Sequence, residues 1–462
     1  IRIFKEEHMN TFFTYLVIVG LLFIIYLKTV RIKSSEKEYF VLNKTEGFIG
    51  LSLSFYASGM GLWILTSPAE VAWYGLGFDI YGYALSAATP FVLIYFLGPK
   101  VASITPEGAT LPQFIEKRYG RSAQKLVSCI AVLYMSAFLI AEFASINFLF
   151  PAISNVSGLA ISLLIGFTTF LYLGKSGFKA SYLTDKFQGI GLGVLLVILF
   201  SIWFSQNSIS DLISFSKVGG INSFESFSFK SALAVIVAVT AAEIFSQGYW
   251  QRTFSAQNTK SIKKASIVAG IGCFLTILLL GFAGSVGAGK GLENPSLSFI
   301  EQLELNIPMS FILISLCTLL VTSSVDTLEN AISSTISLDL VKKGSSEASY
   351  ITAVLIVVSI ICSLYVTSIF NVFLVADLFA VCIVFPVFYK LKSNSSSLFI
   401  FIPFFSSLIM TYLYRLIFIN VSSNPGGVFI PTDSYGLADL NTFLVGLMSS
   451  ILITIAYNKV AK

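Results

Sequence analysis

Carboxylate side chains stand inside several of the longest apolar stretches of this sequence. These acids are Glu70, Glu142, Asp185, Glu243, Asp326, Glu329 and Asp377. No lysine or arginine is expected deep enough in the same stretches to pair with them. An ionisable group in such a place is costly and is a functional-site candidate by default. Because carboxylate oxygens bind hard cations, an all-acidic set predicts a cation pathway.

A cluster of hydroxyl groups surrounds one of these acids. Thr322, Ser323 and Ser324 precede Asp326, and Thr327 follows it. Residues three or four apart share one face of a helix, so Ser323, Asp326 and Thr327 are expected to face the same way. Hydroxyl oxygens on one face can form part of a sodium cage if backbone carbonyls complete it. The alternative is packing, since serine and threonine are common small residues between membrane helices.

Backbone carbonyls could come from an earlier apolar stretch, which contains Gly59 and Gly61 near its middle and Pro68 a little further on. Glycine and proline at this depth predict an interrupted helix, whose freed carbonyls need a cavity or an ion. Many secondary transporters build their sites from such helices at the membrane midplane. A matching break in the second half is less clear. The stretch over 231–250 has Gly248 near its end and no glycine or proline in its middle.

The overall composition indicates a polytopic membrane protein. Hydrophobic residues make up 55% of the 462 positions and charged residues 11%, and the mean hydropathy is +0.84. A soluble domain would carry about a quarter charged residues. Apolar runs long enough to cross a bilayer number about thirteen. They lie near 11–28, 48–74, 77–97, 126–150, 158–173, 183–204, 231–250, 262–286, 308–339, 350–370, 371–389, 397–420 and 438–458.

Basic residues predict the orientation of these spans. With the N-terminus outside, all but six of the 29 lysines and arginines fall on the cytoplasmic side. The six on the outside are Arg2, Lys5, Lys217, Lys230, Lys290 and Arg415. Cytoplasmic loops are enriched in lysine and arginine. The pattern therefore predicts a multi-pass protein of the cell membrane with its C-terminus in the cytoplasm.

Several function classes find no support in the sequence. The phosphate-binding pattern G-x-x-x-x-G-K-[ST] does not occur, so the chain does not encode pumping by ATP hydrolysis. Nothing resembles the nucleophile, base and orienting group of an enzyme. A channel is disfavoured because neither a pore loop nor a repeated ring of charges is visible. No cofactor and no nucleic-acid partner are expected, and the expected partners are the bilayer, a small solute and an ion.

Five motifs resemble those of one known family. The chain is similar to the sodium/solute symporter family, which includes the sodium/proline and sodium/glucose symporters. The motifs are Ala57-Ser58-Gly59-Met60 with Trp63, Thr110-Leu111-Pro112-Gln113-Phe114 with Arg118-Tyr119-Gly120, Ser181-Tyr182-Leu183-Thr184-Asp185 with Gln188, Gln251-Arg252-Thr253, and Ser323-Ser324 followed by Asp339. Their order along residues 48–390 carries the resemblance.

The resemblance implies an all-α polytopic membrane protein with a LeuT-like core. This core would consist of a five-plus-five inverted repeat, the first half over 48–204 and the second over 231–390. An extra transmembrane helix and a cytoplasmic loop, residues 1–47, would precede the core. Two transmembrane helices, within 391–462, would follow it.

The resemblance also implies a sodium site and an ion exit. The sodium ligands would be the carbonyls of Ala57, Met60 and Leu320 and the hydroxyls of Ser323 and Ser324. Asp185 with Gln188 would serve a second sodium or the exit of the ion to the cytoplasm. Sodium would be the coupling ion, and no other metal is implied.

The sugar-site polar residues of the family's glucose branch do not map onto this sequence, and other residues are expected at the substrate cavity. They are Trp63, Thr66, Glu142, Glu243 and Asp377. Acids at this cavity predict a solute rich in N–H donors, such as an amino acid, a urea-like compound or an amine. The predicted function is therefore sodium-coupled symport of such a solute by alternating access. The alternatives are a proton-coupled symporter and a transporter-like sensor domain of a signalling system.

Overall fold

The computed structural model describes residues 11–42, 44–303, 305–389, 395–419, 424 and 426–460, without the side chains of residues 75 and 76. Arg2 and Lys5, two of the basic residues assigned to the outside, lie outside the described residues. Sixteen α-helices form within the described ranges. They are α1 (Thr11–Thr29), α2 (Glu36–Phe40), α3 (Phe48–Gly59), α4 (Ser67–Ile104), α5 (Leu111–Tyr119), α6 (Arg121–Ser154), α7 (Gly158–Gln206), α8 (Ile209–Val218), α9 (Ser226–Glu243), α10 (Gln247–Ser255), α11 (Thr259–Gly289), α12 (Ile307–Thr335), α13 (Ser345–Ser363), α14 (Ile369–Phe388), α15 (Leu398–Phe418) and α16 (Leu440–Val460).

Long apolar helices dominate this part of the chain. Eleven of them can cross a membrane by length and composition, and a twelfth span consists of Phe48–Gly59 and Leu62–Tyr74, which are bent by 64°. The helix α7 has 49 residues. Its length is about 73 Å at 1.5 Å per residue, more than twice the hydrocarbon core of about 30 Å.

A glycine divides α7 into two crossings. Gly177 has φ 50° and ψ −135°, which are not helical values. A Cβ at this position would lie 2.4 Å from the Tyr39 carbonyl oxygen, so the backbone of α2 approaches too closely for any side chain. Counting both parts of α7 gives the thirteen spans that the apolar runs predict. The prediction of an all-α polytopic membrane protein is confirmed.

Helix packing defines a central bundle. α4 packs along α9 and α11, and α12 packs along α6 and α7. α15 and α16 pack on each other and on α14. Large apolar side chains such as Phe12, Val197 and Phe418 stay exposed on the outer faces, as expected for a surface that contacts lipid tails.

Candidate substrate and ion sites

The first helix break lies between α3 and α4. α3 ends at Gly59, and the backbone is extended at Met60 and Gly61 before a 3-10 turn over Leu62–Leu65. The Leu62 N–H donates a hydrogen bond to Glu142 Oε2 at 2.8 Å. A Cβ on Gly61 would lie 1.8 Å from Glu142 Oε1, so glycine is required for this approach. The interruption that the glycines predict is present, and a carboxylate from α6 caps it.

A second break separates α9 from α10 and contains no glycine. α9 ends at Glu243 and α10 begins at Gln247, so Gly248 lies inside α10 and not at the break. Trp250 Nε1 donates to the Ile244 carbonyl oxygen at 2.7 Å. The Gln247 N–H donates to the Met135 sulfur at 3.3 Å. Side chains therefore satisfy backbone groups that the break frees, which is why the sequence left this break unclear.

A cavity lies beside both breaks. It has about 570 Å³ of atom-free space. Trp63, Glu243 and Asp377, three of the predicted substrate-cavity residues, line it. Thr66 and Glu142 are not among its lining residues. The Thr66 hydroxyl donates to the Trp63 carbonyl at 3.0 Å, while Glu142 caps the first break.

Aromatic rings that the sequence analysis did not single out enclose this cavity. Tyr83, Phe138, Tyr249 and Phe373 line it together with Trp63. The Phe138 and Phe373 rings stack with their centroids 4.1 Å apart. Phe373 also meets the Trp63 ring edge-on at 6.1 Å. The sequence could have indicated Phe138, because it lies one helical turn before Glu142 on α6 and so on the same helix face.

Two carboxyl groups without a basic partner face the same cavity. The hydroxyls of Tyr134 and Tyr249 lie beside Glu243, and Asp377 interacts electrostatically with Glu243. No lysine or arginine of the described ranges forms an ion pair with either acid. The cavity therefore has two carboxyl groups and several aromatic faces in its lining. Carboxylates and aromatic faces both attract cations.

The predicted sodium ligands lie on segments that pack against each other. α12 contacts both α3 and the turn over Leu62–Leu65. The residues concerned are Ala57 and Met60 on the first segment and Leu320, Ser323 and Ser324 on α12. All of them are buried. The tertiary structure thus brings residues from distant parts of the sequence to one pair of facing segments.

Each of the two hydroxyls on α12 has a carboxylate as a neighbour. Ser323 Oγ donates to Asp185 Oδ1 at 3.0 Å. Ser324 lies beside Glu142. This arrangement couples the predicted sodium ligands to one acid on α7 and to another on α6.

Asp185 has a buried basic partner, so the expectation that no lysine or arginine reaches the membrane acids was wrong. Arg252 Nη2 donates to Asp185 Oδ2, and both side chains are fully buried. Ser54 Oγ donates to the same carboxylate oxygen at 2.6 Å. Arg252 also donates to Thr327 Oγ1 at 2.9 Å. The expectation failed because Arg252 was assigned to a cytoplasmic loop, whereas it lies on α10, whose residues are all buried.

Gln188 and Asp326 join α7 to α12. Gln188 Nε2 donates to Thr322 Oγ1 at 2.9 Å. Asp326 accepts hydrogen bonds from the hydroxyls of Tyr172, Ser181 and Thr184 at 2.6, 2.7 and 2.9 Å. Asp326 therefore points to α7, whose hydroxyl groups donate hydrogen bonds to its carboxylate. It does not line the cavity.

Comparison with known proteins identifies transporters. No protein-family model matches the sequence. The spermidine transporter DUR31 of Candida albicans is 28% identical over 375 residues, which cover 78% of this chain and 71% of that protein.

Solved transporter structures share the fold at low sequence identity. A Na+-coupled sialic acid symporter in its substrate-bound outward-open state matches with a TM-score of 0.73 at 16% identity, covering 97% of this chain and 98% of that one. Mhp1, a nucleobase-cation-symport-1 family transporter in a closed conformation, matches with 0.58 at 14% identity, covering 91% and 94%. MhsT in complex with L-phenylalanine matches with 0.53 at 16% identity, covering 89% and 99%. The chain therefore has the LeuT-like fold of secondary transporters, and the proteins that it resembles are transporters and not enzymes.

Proposed function

We propose that this protein is a sodium-coupled symporter of the sodium/solute symporter family, which imports a small organic cation bearing N–H groups across the cell membrane by alternating access. The observation that carries the proposal is the pair of carboxyl groups, Glu243 and Asp377, in one aromatic cavity beside the two helix breaks. The N-terminus would lie outside and the C-terminus in the cytoplasm.

The chemistry of the cavity favours an amine over a neutral or anionic solute. A carboxylate at membrane depth without a basic partner costs a few kcal/mol unless water, an ion or substrate meets it. An ammonium group supplies both the charge and the N–H donors that such a carboxylate lacks. Aromatic faces add cation–π attraction of about 0.5–2 kcal/mol. The similarity to a spermidine transporter supports an amine as the solute.

Sodium coupling would use oxygen donors from α3 and α12. The proposed ligands are the carbonyls of Ala57, Met60 and Leu320 and the hydroxyls of Ser323 and Ser324. Oxygen atoms of these kinds suit a hard cation. The similarity in fold to a Na+-coupled symporter supports sodium over a proton as the coupling ion.

Asp185 and Gln188 would serve the exit of the ion or a second sodium. The Arg252 guanidinium supplies a positive charge to the Asp185 carboxylate. A second sodium at this carboxylate would have to compete with that guanidinium. The ion pair therefore supports the exit role over a second permanent sodium site.

The substrate part of the proposal is tested by uptake of labelled spermidine into proteoliposomes with an inward sodium gradient. We expect Glu243→Gln and Asp377→Asn each to raise the KM for spermidine about ten-fold or more, because removing one charge partner of an ammonium group costs about 1.4 kcal/mol or more. Sodium affinity measured without solute should change little. Glu70→Gln is the matched control. Glu70 Oε2 accepts a hydrogen bond from the Ser296 hydroxyl at 3.3 Å, and Glu70 is not among the residues that line the cavity.

Unchanged apparent affinity in both cavity variants would show that the two acids are structural. Spermidine binding without net uptake by the wild type would favour the sensor alternative. Uptake driven by a pH gradient in the absence of sodium would favour the proton-coupled symporter.

The sodium part is tested with Ser323→Ala combined with Ser324→Ala. Loss of two hydroxyl ligands from a cage of about five oxygens should raise the sodium concentration for half-maximal uptake about ten-fold or more. Ser333→Ala is the control on the same helix, because the Ser333 hydroxyl only donates to the Asn330 carbonyl one turn earlier. Wild-type sodium dependence in the double variant would remove these hydroxyls from the site.

A further inference from the structure

Glu142 fills a position at the first break that suits an anion. Its side chain is fully buried. Oε2 accepts from the Leu62 N–H at 2.8 Å, and the missing side chain of Gly61 leaves room for Oε1. Oε1 makes no hydrogen bond to any described residue, although it is buried. The carboxylate therefore lies at the start of the half-helix Leu62–Tyr74 with one oxygen still able to accept a hydrogen bond.

The start of a half-helix attracts negative charge. Its first N–H groups lack partners within the helix, and the aligned peptide dipoles give that end a partial positive charge. In transporters with broken helices, this end can hold the carboxylate of the substrate. In this protein, the side chain of Glu142 already accepts one of these N–H groups. A carboxyl group of the protein therefore lies at the kind of helix end that can hold a substrate carboxylate in such transporters.

Glu142 does not line the cavity, but residues close to it do. Trp63 follows Leu62 directly and lines the cavity, as does Phe138, which lies one turn before Glu142 on α6. A solute carboxylate beside Trp63 would therefore approach the buried carboxyl group of Glu142, which has no basic residue paired to it among the described ranges. Two carboxylates that lie near each other in a low-dielectric environment repel each other.

We infer that Glu142 takes the place of a substrate carboxylate and restricts transport to amines that lack one. This inference rests on the proposed transport of an organic cation and narrows its substrate class. Glu142 would distinguish amines from amino acids. The cavity acids alone would not distinguish these two classes, because both carry an ammonium group. Glu142 is then a specificity-determining residue that acts by charge and by occupying the half-helix end.

Competition for spermidine uptake provides the test, with 1,4-diaminobutane and ornithine as the probes. The two compounds carry amino groups at the same spacing and differ by the α-carboxylate of ornithine. For the wild type, we expect 1,4-diaminobutane to inhibit uptake and ornithine to inhibit at least about 100-fold more weakly, a difference of about 2.7 kcal/mol. This comparison needs no variant, so it is independent of any folding defect.

Variants of Glu142 then assign the selectivity to this residue. Glu142→Gln keeps an oxygen that can accept from the Leu62 N–H but removes the charge. We expect this variant to reduce the ratio of the inhibition constants of ornithine and 1,4-diaminobutane about ten-fold or more. Glu142→Asp keeps the charge and should keep ornithine excluded. Ser145→Ala, on the same helix, is the control, because the Ser145 hydroxyl donates only to the Ala141 carbonyl.

Equal inhibition by ornithine and 1,4-diaminobutane in the wild type would overturn this inference while leaving the proposed amine transport intact. Unchanged selectivity in a folded Glu142→Gln variant would also overturn it. Absence of uptake of any amine by the wild type would overturn the proposed function and, with it, the inference.

Discussion

The two helix breaks border the same cavity but are held open by different means. At the first, Gly61 carries no side chain, so the chain can extend and Glu142 can reach the Leu62 N–H. At the second, no glycine is present, and Trp250 and Met135 satisfy the freed backbone groups. The first break therefore depends on a glycine in the local sequence. The second depends on side chains, one of which comes from 112 residues earlier in the chain.

An acid lies at each of the two breaks. α9 ends at Glu243, so the partial negative charge of a helix C-terminus adds to that of an acid which faces the cavity. At the first break, the positive end of the half-helix is offset by Glu142. Negative charge is therefore contributed by a helix end and an acid at one break, and by a capping side chain at the other.

The largest effect is expected for the ion pair that ties the second break to the first half of the chain. Arg252→Met should leave the Asp185 carboxylate buried without its charge partner. Breaking a buried pair in this way typically costs about 3–5 kcal/mol. Thermal unfolding in detergent should show a large drop in melting temperature. The double variant Arg252→Met with Asp185→Leu should recover much of the loss, because no buried charge is then left alone.

The exposed pair between Lys37 and Glu107, with Nζ and Oε2 3.1 Å apart, is the control for Arg252. Lys37→Met should leave the melting temperature close to that of the wild type, because exposed ion pairs contribute little to stability. A melting temperature for Arg252→Met that matches the one for Lys37→Met would contradict the structural role of the buried pair.

An intermediate effect is expected when the first break receives a side chain. In Gly61→Ala, the new Cβ must displace the Glu142 carboxylate from its place 1.8 Å away. The Leu62 N–H then loses its acceptor, and a buried unpaired donor costs about 1–3 kcal/mol. Both the melting temperature and the rate of uptake should fall.

Gly193→Ala is the matched control for Gly61→Ala. Gly193 lies within α7 with nothing within 4 Å of a Cβ, and alanine favours a helix over glycine by up to about 1 kcal/mol. This variant should be as stable as the wild type or slightly more stable. If Gly61→Ala behaves in the same way, the first break does not depend on the missing side chain.

The smallest effect is expected for the hydrogen bond that supports the second break. Trp250→Phe removes the N–H that the Ile244 carbonyl accepts at 2.7 Å. Trp203→Phe makes the same truncation at a buried indole whose N–H has no hydrogen-bond partner among the described residues. The Trp250 variant should lose about 1 kcal/mol more than the Trp203 variant. Equal losses would mean that the indole stabilises the break by packing alone.

Particular residues mark the limit of prediction from the sequence. Gly59 and Gly61 predict the first break, because a residue without a side chain allows other groups to approach its backbone closely. The second break has no such marker, and its position after Glu243 emerges only from contacts between helices. Arg252 was misassigned for the same reason, since a residue just beyond an apolar run reads as a loop residue unless the break before α10 is known.

Composition and the length of the apolar runs are enough to predict an all-α polytopic membrane protein, because the backbone polar groups of a run that crosses the bilayer can be satisfied within the run as a helix. The same runs predict which acids lie inside the membrane. The contacts of these acids follow only from the tertiary structure: Glu243 and Asp377 face a cavity, Glu142 caps a half-helix, Asp185 pairs with Arg252, and Asp326 binds three hydroxyls. The physical reason is that a buried carboxylate is defined by its partners. Here those partners come from helices that are far apart in the sequence.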